Sequence, residues 1–446
     1  MLTLLVNLST VAILGPVVIR SFGAISYQVF VFALLTIGLP IRSLVLHIDM
    51  NQFLLGGALI SSDDLEFADA IGAASIFGYT LVILALKQRR RPHPDGTTTN
   101  LFKHNQLLLF SLALLILVAQ ITLSLNYSSG DLSSLEVLSQ RSIVSGSAIV
   151  LAINLSPIVL TLVIANILVS SRSGSHVAVV GAWLLLFIAL GWLALLSGRA
   201  TAAIALWSLI LAMKYIGKAK VNALHVSSAG VLVALVTIAG LALRKASQQN
   251  IDVTASVALS LGDVLNSLSE ALPSVDHFLV GILYYTRSGF DFGAHILDAL
   301  VILVPRDIWP DKPILMPQKI ATALTRYDKS GLPAGFLGEG YIAAGIVGTA
   351  LSTAILGFFA HFFQRVLERV QGRNMIVATW AIVIMSSILA EYVRVGPQGA
   401  LSTLIIDLGL FPIVYLAAKL TPKRPLRKNV GYFPQANSSG ETHGLS

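Results

Sequence analysis

The chain has 446 residues, 55% of them hydrophobic and only 12% charged, and its 30 Lys and Arg against 22 Asp and Glu give a net charge of +8. Soluble domains carry about 25% charged residues; half that, with a mean hydropathy of +0.80, excludes a soluble enzyme and implies an integral membrane protein with repeated spans of roughly twenty apolar residues. There is no cysteine, so a disulfide framework and thiol chemistry are excluded too.

Long apolar runs separated by short turns predict helices rather than a barrel of short alternating strands. The fold class is all-α, a polytopic transmembrane bundle. The run from Leu2 to Ile19 has no basic residue ahead of it. It lacks the positive leader of a signal peptide and reads as a retained span. Spans are predicted at about 2–19, 24–46, 69–86, 106–125, 144–170, 176–196, 200–213, 223–243, 341–363, 374–392 and 400–419. The turn between the spans at 176–196 and 200–213 is tight. None of the spans shows the paired polar breaks of discontinuous transporter helices.

Basic residues cluster in 87–105 (Lys87, Arg89, Arg90, Arg91, Lys103), 214–220 (Lys214, Lys218, Lys220), 364–373 (Arg365, Arg369, Arg373) and the tail (Lys423, Arg424, Arg427, Lys428). Alternation of eleven spans puts all four clusters on one side. By the positive-inside rule that side is cytoplasmic, with the N-terminus out and the C-terminus in. Such loops face anionic lipid and call for no nucleic-acid partner. The chain therefore divides into N-terminal spans (1–243), a large outer loop (244–340), C-terminal spans (341–419) and a polar tail (420–446) predicted to be disordered. Within the loop, Gly293 to Val304 is apolar but too short to span, which predicts an interfacial or re-entrant helix.

Four arginines fall at the outer face against the positive-inside bias: Arg199, Arg287, Arg306 and Arg394. Guanidinium pairs bidentately with phosphate oxygens, so a phosphate-bearing lipid headgroup is one reason for them; snorkelling or pairing with local acids is the other. Glu339, in Gly335-Phe336-Leu337-Gly338-Glu339-Gly340, is either a general base or an acid favoured by a helix N-terminus. Asp276-His277 and His295 with Asp298 are further acid/base candidates. Asp63-Asp64 is a weak metal signal. No zinc spacing, phosphate-binding glycine loop or nucleophile elbow occurs, so no metal or cofactor is expected.

The segment Val304-Pro305-Arg306-Asp307-Ile308-Trp309-Pro310-Asp311-Lys312-Pro313 is charged, aromatic and proline-rich in an otherwise apolar chain. Trp309 suits a lipid headgroup zone, and the prolines make a rigid extended turn. The segment resembles a motif of the Wzy-type oligosaccharide repeat-unit polymerases, which place Pro-Arg/Ser, a hydrophobic residue, Trp-Pro and a basic residue before Pro in a periplasmic loop. Gly198-Arg199-Ala200, Tyr285-Thr286-Arg287 and Arg394 resemble further elements of the enterobacterial common antigen branch. The likeness covers roughly residues 195–400; the N-terminal half agrees mainly in hydropathy.

The resemblance implies metal-independent, inverting glycosyl transfer at the periplasmic face of a bacterial inner membrane. Donor and acceptor would be undecaprenyl-diphosphate-linked oligosaccharides, and a chain-length regulator protein is an expected partner. Arg199, Arg287, Arg306, Arg394 and Lys312 would bind the diphosphate. Glu339, with His277 second, would be the base. Two other readings stay open. A lipid-linked glycan ligase would use an outer-loop histidine, His277 or His295. A glycolipid flippase or transporter would line its helices with mid-membrane charge, and here only Arg42 and Asp407 qualify.

Overall fold

The computed structural model describes residues 1–53, 55, 60–87, 106–127, 155–173, 175–197, 199–217, 221, 275–301, 304, 308–325, 331–370 and 374–420. Among these residues the structure is helical, without a strand. The helices are α1 (Leu2–Phe22), α2 (Tyr27–Ile48), α3 (Ser62–Ala85), α4 (Gln106–Tyr127), α5 (Ser156–Ser173), α6 (His176–Ser197) and α7 (Arg199–Tyr215), then α8 (Val275–Ser288), α9 (Ala294–Leu297), α10 (Met316–Thr325), α11 (Gly335–Val370), α12 (Met375–Arg394) and α13 (Pro397–Leu420). Eight are long and apolar enough to cross a membrane, and α5 and α7 are shorter apolar helices. The protein is a polytopic helical membrane protein. The span expected at 223–243 and the tail beyond 420 lie outside the described residues.

Side-chain contacts fix which helix ends lie together. At one end, Lys214 donates to the Ile25 carbonyl at 2.7 Å, the Tyr27 amide donates to Gln364 at 3.1 Å, and Lys87 stands 5.8 Å over the Phe22 ring. At the other, the N-terminal ammonium meets Glu66 at 3.1 Å and the Gln398 amide meets Glu339 at 3.0 Å. The chain shuttles between these ends from α1 to α7, and again through α11, α12 and α13. Helix α12 is the axle of the bundle, with fifteen buried residues from Met375 to Val393. Ser61 caps α3 in a reciprocal box with Asp64, so that carboxylate is engaged in helix initiation rather than poised beside Asp63 for a metal.

Two helices are irregular where the sequence suggested no break, one widened and one broken. In α2, Pro40 lies within a π turn, Ile37–Ile41. Proline has no N–H and crowds the preceding turn, and the wider turn absorbs both. Arg42 follows directly. In α11, Ala344 and Gly345 leave helical geometry, Gly345 at φ 60. The chain folds back sharply there. Thr349 donates to the Leu337 carbonyl at 3.2 Å, and a side chain on Gly348 would collide with the Gly340 carbonyl. The helix expected from 341 thus begins at Gly335, as a short half-helix laid against the long one.

Candidate functional site

The short half-helix carries Glu339 into the end of the bundle where α8, α9, α12 and α13 meet. Its packing needs glycine. A Cβ on Gly281 of α8 would stand 2.6 Å from the Gly338 Cα, so the two backbones touch. Glu339 is 1% exposed. Its Oε2 accepts the Gln398 backbone N–H at the start of α13, 3.0 Å away. That is a helix N-terminus, where carboxylate charge is favoured. Gly396, at φ 120, lies against the carboxyl group, where any Cβ would overlap it. Gly396→Ala should therefore displace Glu339 and cut activity while the bundle still assembles; activity against circular dichroism of the purified variant checks this.

His295 completes the site. Its Nδ1 meets Asp291 Oδ2 at 2.5 Å, one helical turn back, and its Nε2 faces Glu339 Oε2 at 3.5 Å. The second distance is an ion contact rather than a hydrogen bond. Its backbone carbonyl accepts from the Gln398 amide nitrogen at 2.5 Å, while the Gln398 amide oxygen accepts the Met316 N–H at 2.7 Å. Gln398 is itself 1% exposed. One buried side chain thus clamps α9 and α10 together while its own backbone holds Glu339. The result is an Asp291–His295–Glu339 relay in which Glu339 Oε1 has no hydrogen-bond partner.

Burial alone would push the His295 pKa down, but the Asp291 hydrogen bond and then Glu339 outweigh it and raise it to about 9. Burial would lift Asp291; the His295 contact outweighs that and holds Asp291 below the ordinary carboxylate value. At neutral pH the relay is an imidazolium between acids. The raised histidine contributes stability that is full below its unfolded value of 6.5 and is lost as pH rises through about 9. The depressed aspartate contributes stability that is lost as pH falls through its folded value. Thermal stability should therefore fall at both extremes, and His295→Asn should flatten the alkaline limb.

Beside the relay lies a second group. Arg42 Nε donates to Asp276 Oδ2 at 2.9 Å and Nη2 to the same oxygen at 2.5 Å, with both side chains at 0% exposure. His277 follows Asp276 and is 5% exposed. Burial first, then the positive charges of Arg394 and Arg42, lowers its pKa to about 3. It is neutral, with Nδ1 unpartnered. Arg394 closes the group from the end of α12, with Nη2 on both Glu391 oxygens at 2.9 and 3.1 Å. Its Nε is buried without a partner.

The other sequence candidates fall elsewhere. Arg287 is exposed and donates to the Ala323 carbonyl at 2.6 Å; no described contact joins it to Arg394. Lys312 is buried, its ammonium on the Val304 carbonyl at 2.9 Å. The backbone of Arg199 opens α7 at the same end of the bundle as Arg394; its side chain, and all of Arg306, lie outside the described residues. Asp291 and Gln398 were missed. The Asp291–His295 spacing of four residues was the one available signal for the first; nothing local marks Gln398. Among the described residues no group of three or more His, Cys, Asp or Glu could hold a metal. No family model, curated protein or solved structure matches the chain.

Proposed function

We propose that this protein transfers saccharide between polyprenyl-diphosphate-linked carriers, polymerising oligosaccharide repeat units at the outer face of a bacterial inner membrane. The observation that carries the reading is the buried relay, in which one Glu339 oxygen has no hydrogen-bond partner. Such a base takes the proton of an acceptor hydroxyl as it attacks the donor's anomeric carbon, and the carrier diphosphate leaves. One base and one displacement give inversion, as in one-step glycoside chemistry. Charge developing on the leaving diphosphate is met by guanidinium, Arg394 being the described candidate at the relay's end of the bundle.

Orientation rests on charge. Lys87, Lys214, Arg365 and Arg369 lie toward the end opposite the relay. The positive-inside rule makes that end cytoplasmic and the relay extracytoplasmic. The family motif at Pro305–Pro313 supports the same reading. A second reading, transfer of finished glycan to a different acceptor as in a lipid-linked glycan ligase, is favoured by one feature: His295 is carried by an acid, as a catalytic histidine would be.

The test is reconstitution in vesicles with lipid-linked single repeat units as both donor and acceptor. Wild-type protein should build a ladder and release polyprenyl diphosphate. Arg394→Ala should slow it, and Arg394→Lys should recover little, since a point charge does not replace a fork. No ladder from wild-type protein, with transfer only to another acceptor, would leave the ligase reading standing instead.

A further inference from the structure

The relay is covered by the residues from Phe290 to Val301, with Ile308 to Ile314 beyond them, and the outer face of this roof is largely apolar among the described residues. In the turn of α9 and the 3-10 turn after it (Asp298–Val301), His295 and Ala299 point inward at 1% and 0% exposure. Leu297 and Leu300 point away at 65% and 57%. A helical segment covering a site in water would carry polar side chains on that outer stripe. Here the ionisable groups are drawn aside instead: Asp298 bonds Lys319 at 2.7 Å and Lys312 bonds the Val304 carbonyl at 2.9 Å. Among the described residues of the roof, Asp311 is the one exposed charge.

Other side chains of the roof extend the pattern. Ile308 is 75% exposed and Phe292 85%. Phe292 holds φ 53, a conformation that side chains other than glycine rarely adopt. Its turn is pinned: the Gly293 N–H donates to Asp291 Oδ1 at 2.9 Å, and the Asp291 N–H donates to the Ile342 carbonyl at 3.2 Å. The same Asp291 that holds His295 therefore holds the phenyl ring in place.

This surface meets the flank of a spanning helix. The Phe290 ring packs against Gly345 at the fold-back of α11. There the outward side of α11 begins, with Ile346, Val347 and Leu351 at 58%, 75% and 60% exposure. Those residues belong to a helix long and apolar enough to cross a membrane. An apolar patch continuous with a lipid-facing helix has the same solvent as that helix.

We propose that the roof is a membrane-contact surface: its outer face lies in the acyl-chain and headgroup boundary of the leaflet, so that the relay beneath it works at headgroup depth. The partner is phospholipid. The inference does not depend on glycosyl transfer, only on the chain being membrane-embedded.

The absence of cysteine makes the test clean. Leu297→Cys, Leu300→Cys and Ile308→Cys, each labelled with a nitroxide in the full-length protein, are reconstituted in phosphatidylethanolamine–phosphatidylglycerol vesicles. Collision with oxygen is compared with collision with a neutral nickel chelate, and Val347→Cys serves as the lipid-facing benchmark. Oxygen should dominate at all three sites, as at the benchmark. Dominance of the nickel chelate at Leu300 and Ile308 would show a roof in water and overturn the proposal. Exclusion of both reagents would show a roof covered by protein and overturn it equally.

Discussion

Glu339→Gln should abolish transfer without unfolding the protein. A positioned general base contributes about 10²–10⁴-fold to rate, and the amide removes the base while keeping the shape. The glutamine oxygen can still accept the Gln398 N–H that Glu339 accepts at 3.0 Å, so the start of α13 keeps its partner. The readout is the repeat-unit ladder from reconstituted vesicles, with thermal unfolding measured on the same samples. The pH response of His295 adds a signature that a purely structural role would not. Glu339 is one of the groups that raise the His295 pKa to about 9, so the variant should let the imidazolium lose its proton at lower pH, visible in nitrogen chemical shifts of labelled histidine. Near-normal transfer by this variant would remove Glu339 from the chemistry and the proposed function with it.

Arg42→Met should destabilise the bundle more than any substitution within the relay. The guanidinium and the Asp276 carboxylate are both at 0% exposure. Breaking such a pair from one side leaves a buried charge uncompensated, typically at a cost of about 3–5 kcal/mol. The helix α2 beside its π turn and the start of α8 should separate first, since this pair ties them across 234 residues of chain. Replacing both partners by apolar residues is often neutral, so Arg42→Met with Asp276→Leu should be more stable than Arg42→Met alone. Detergent-phase thermal unfolding distinguishes the cases. If the double variant is no better than the single one, the pair is not what holds α8 to α2. The double variant should also lose transfer, because one of the two cations flanking His277 is gone.

Much of the membrane architecture was legible from hydropathy because a bilayer enforces a simple rule: twenty apolar residues, with every backbone group bonded inside the segment. Eight of the spans predicted from hydropathy correspond to helices long and apolar enough to cross a membrane, α1 to α4, α6 and α11 to α13, while α5 and α7 are shorter apolar helices. What failed was detail within helices. The break at Ala344–Gly345 lies in a run that is apolar throughout, and hydropathy does not distinguish a helix from a helix folded back on itself. The clue was steric rather than hydrophobic: glycines at 338, 340 and 348 permit contacts at which a Cβ would collide, and those at 335 and 345 hold a positive φ. The π turn at Pro40 was missed for the same reason, since its proline is surrounded by residues that suit any span.

The candidate site divides along the same line. Sequence singled out Glu339, His277, His295 and Arg394 as chemically capable groups, because ionisable residues are scarce near a membrane and each needs a reason. It put Glu339 first and His277 second as the base, and kept His295 as a further acid/base candidate. The structure places His295 Nε2 at 3.5 Å from Glu339 and leaves His277 neutral between two cations. It also places Arg287 on the surface and Lys312 in a local bond.

Composition and spacing by themselves determined that this chain lives in a membrane as a helical bundle, and which residue types near one rim could do acid–base or phosphate chemistry. Only the tertiary structure decided which of them meet, because residues 291, 295, 339 and 398 come from three separate segments and join through contacts as distant in sequence as Gln398 and His295. Hydropathy is a local property that each residue carries with it. A pairing between charges belongs to neither partner until packing, in this bundle glycine against glycine and one glutamine bridging two backbones, brings them within reach.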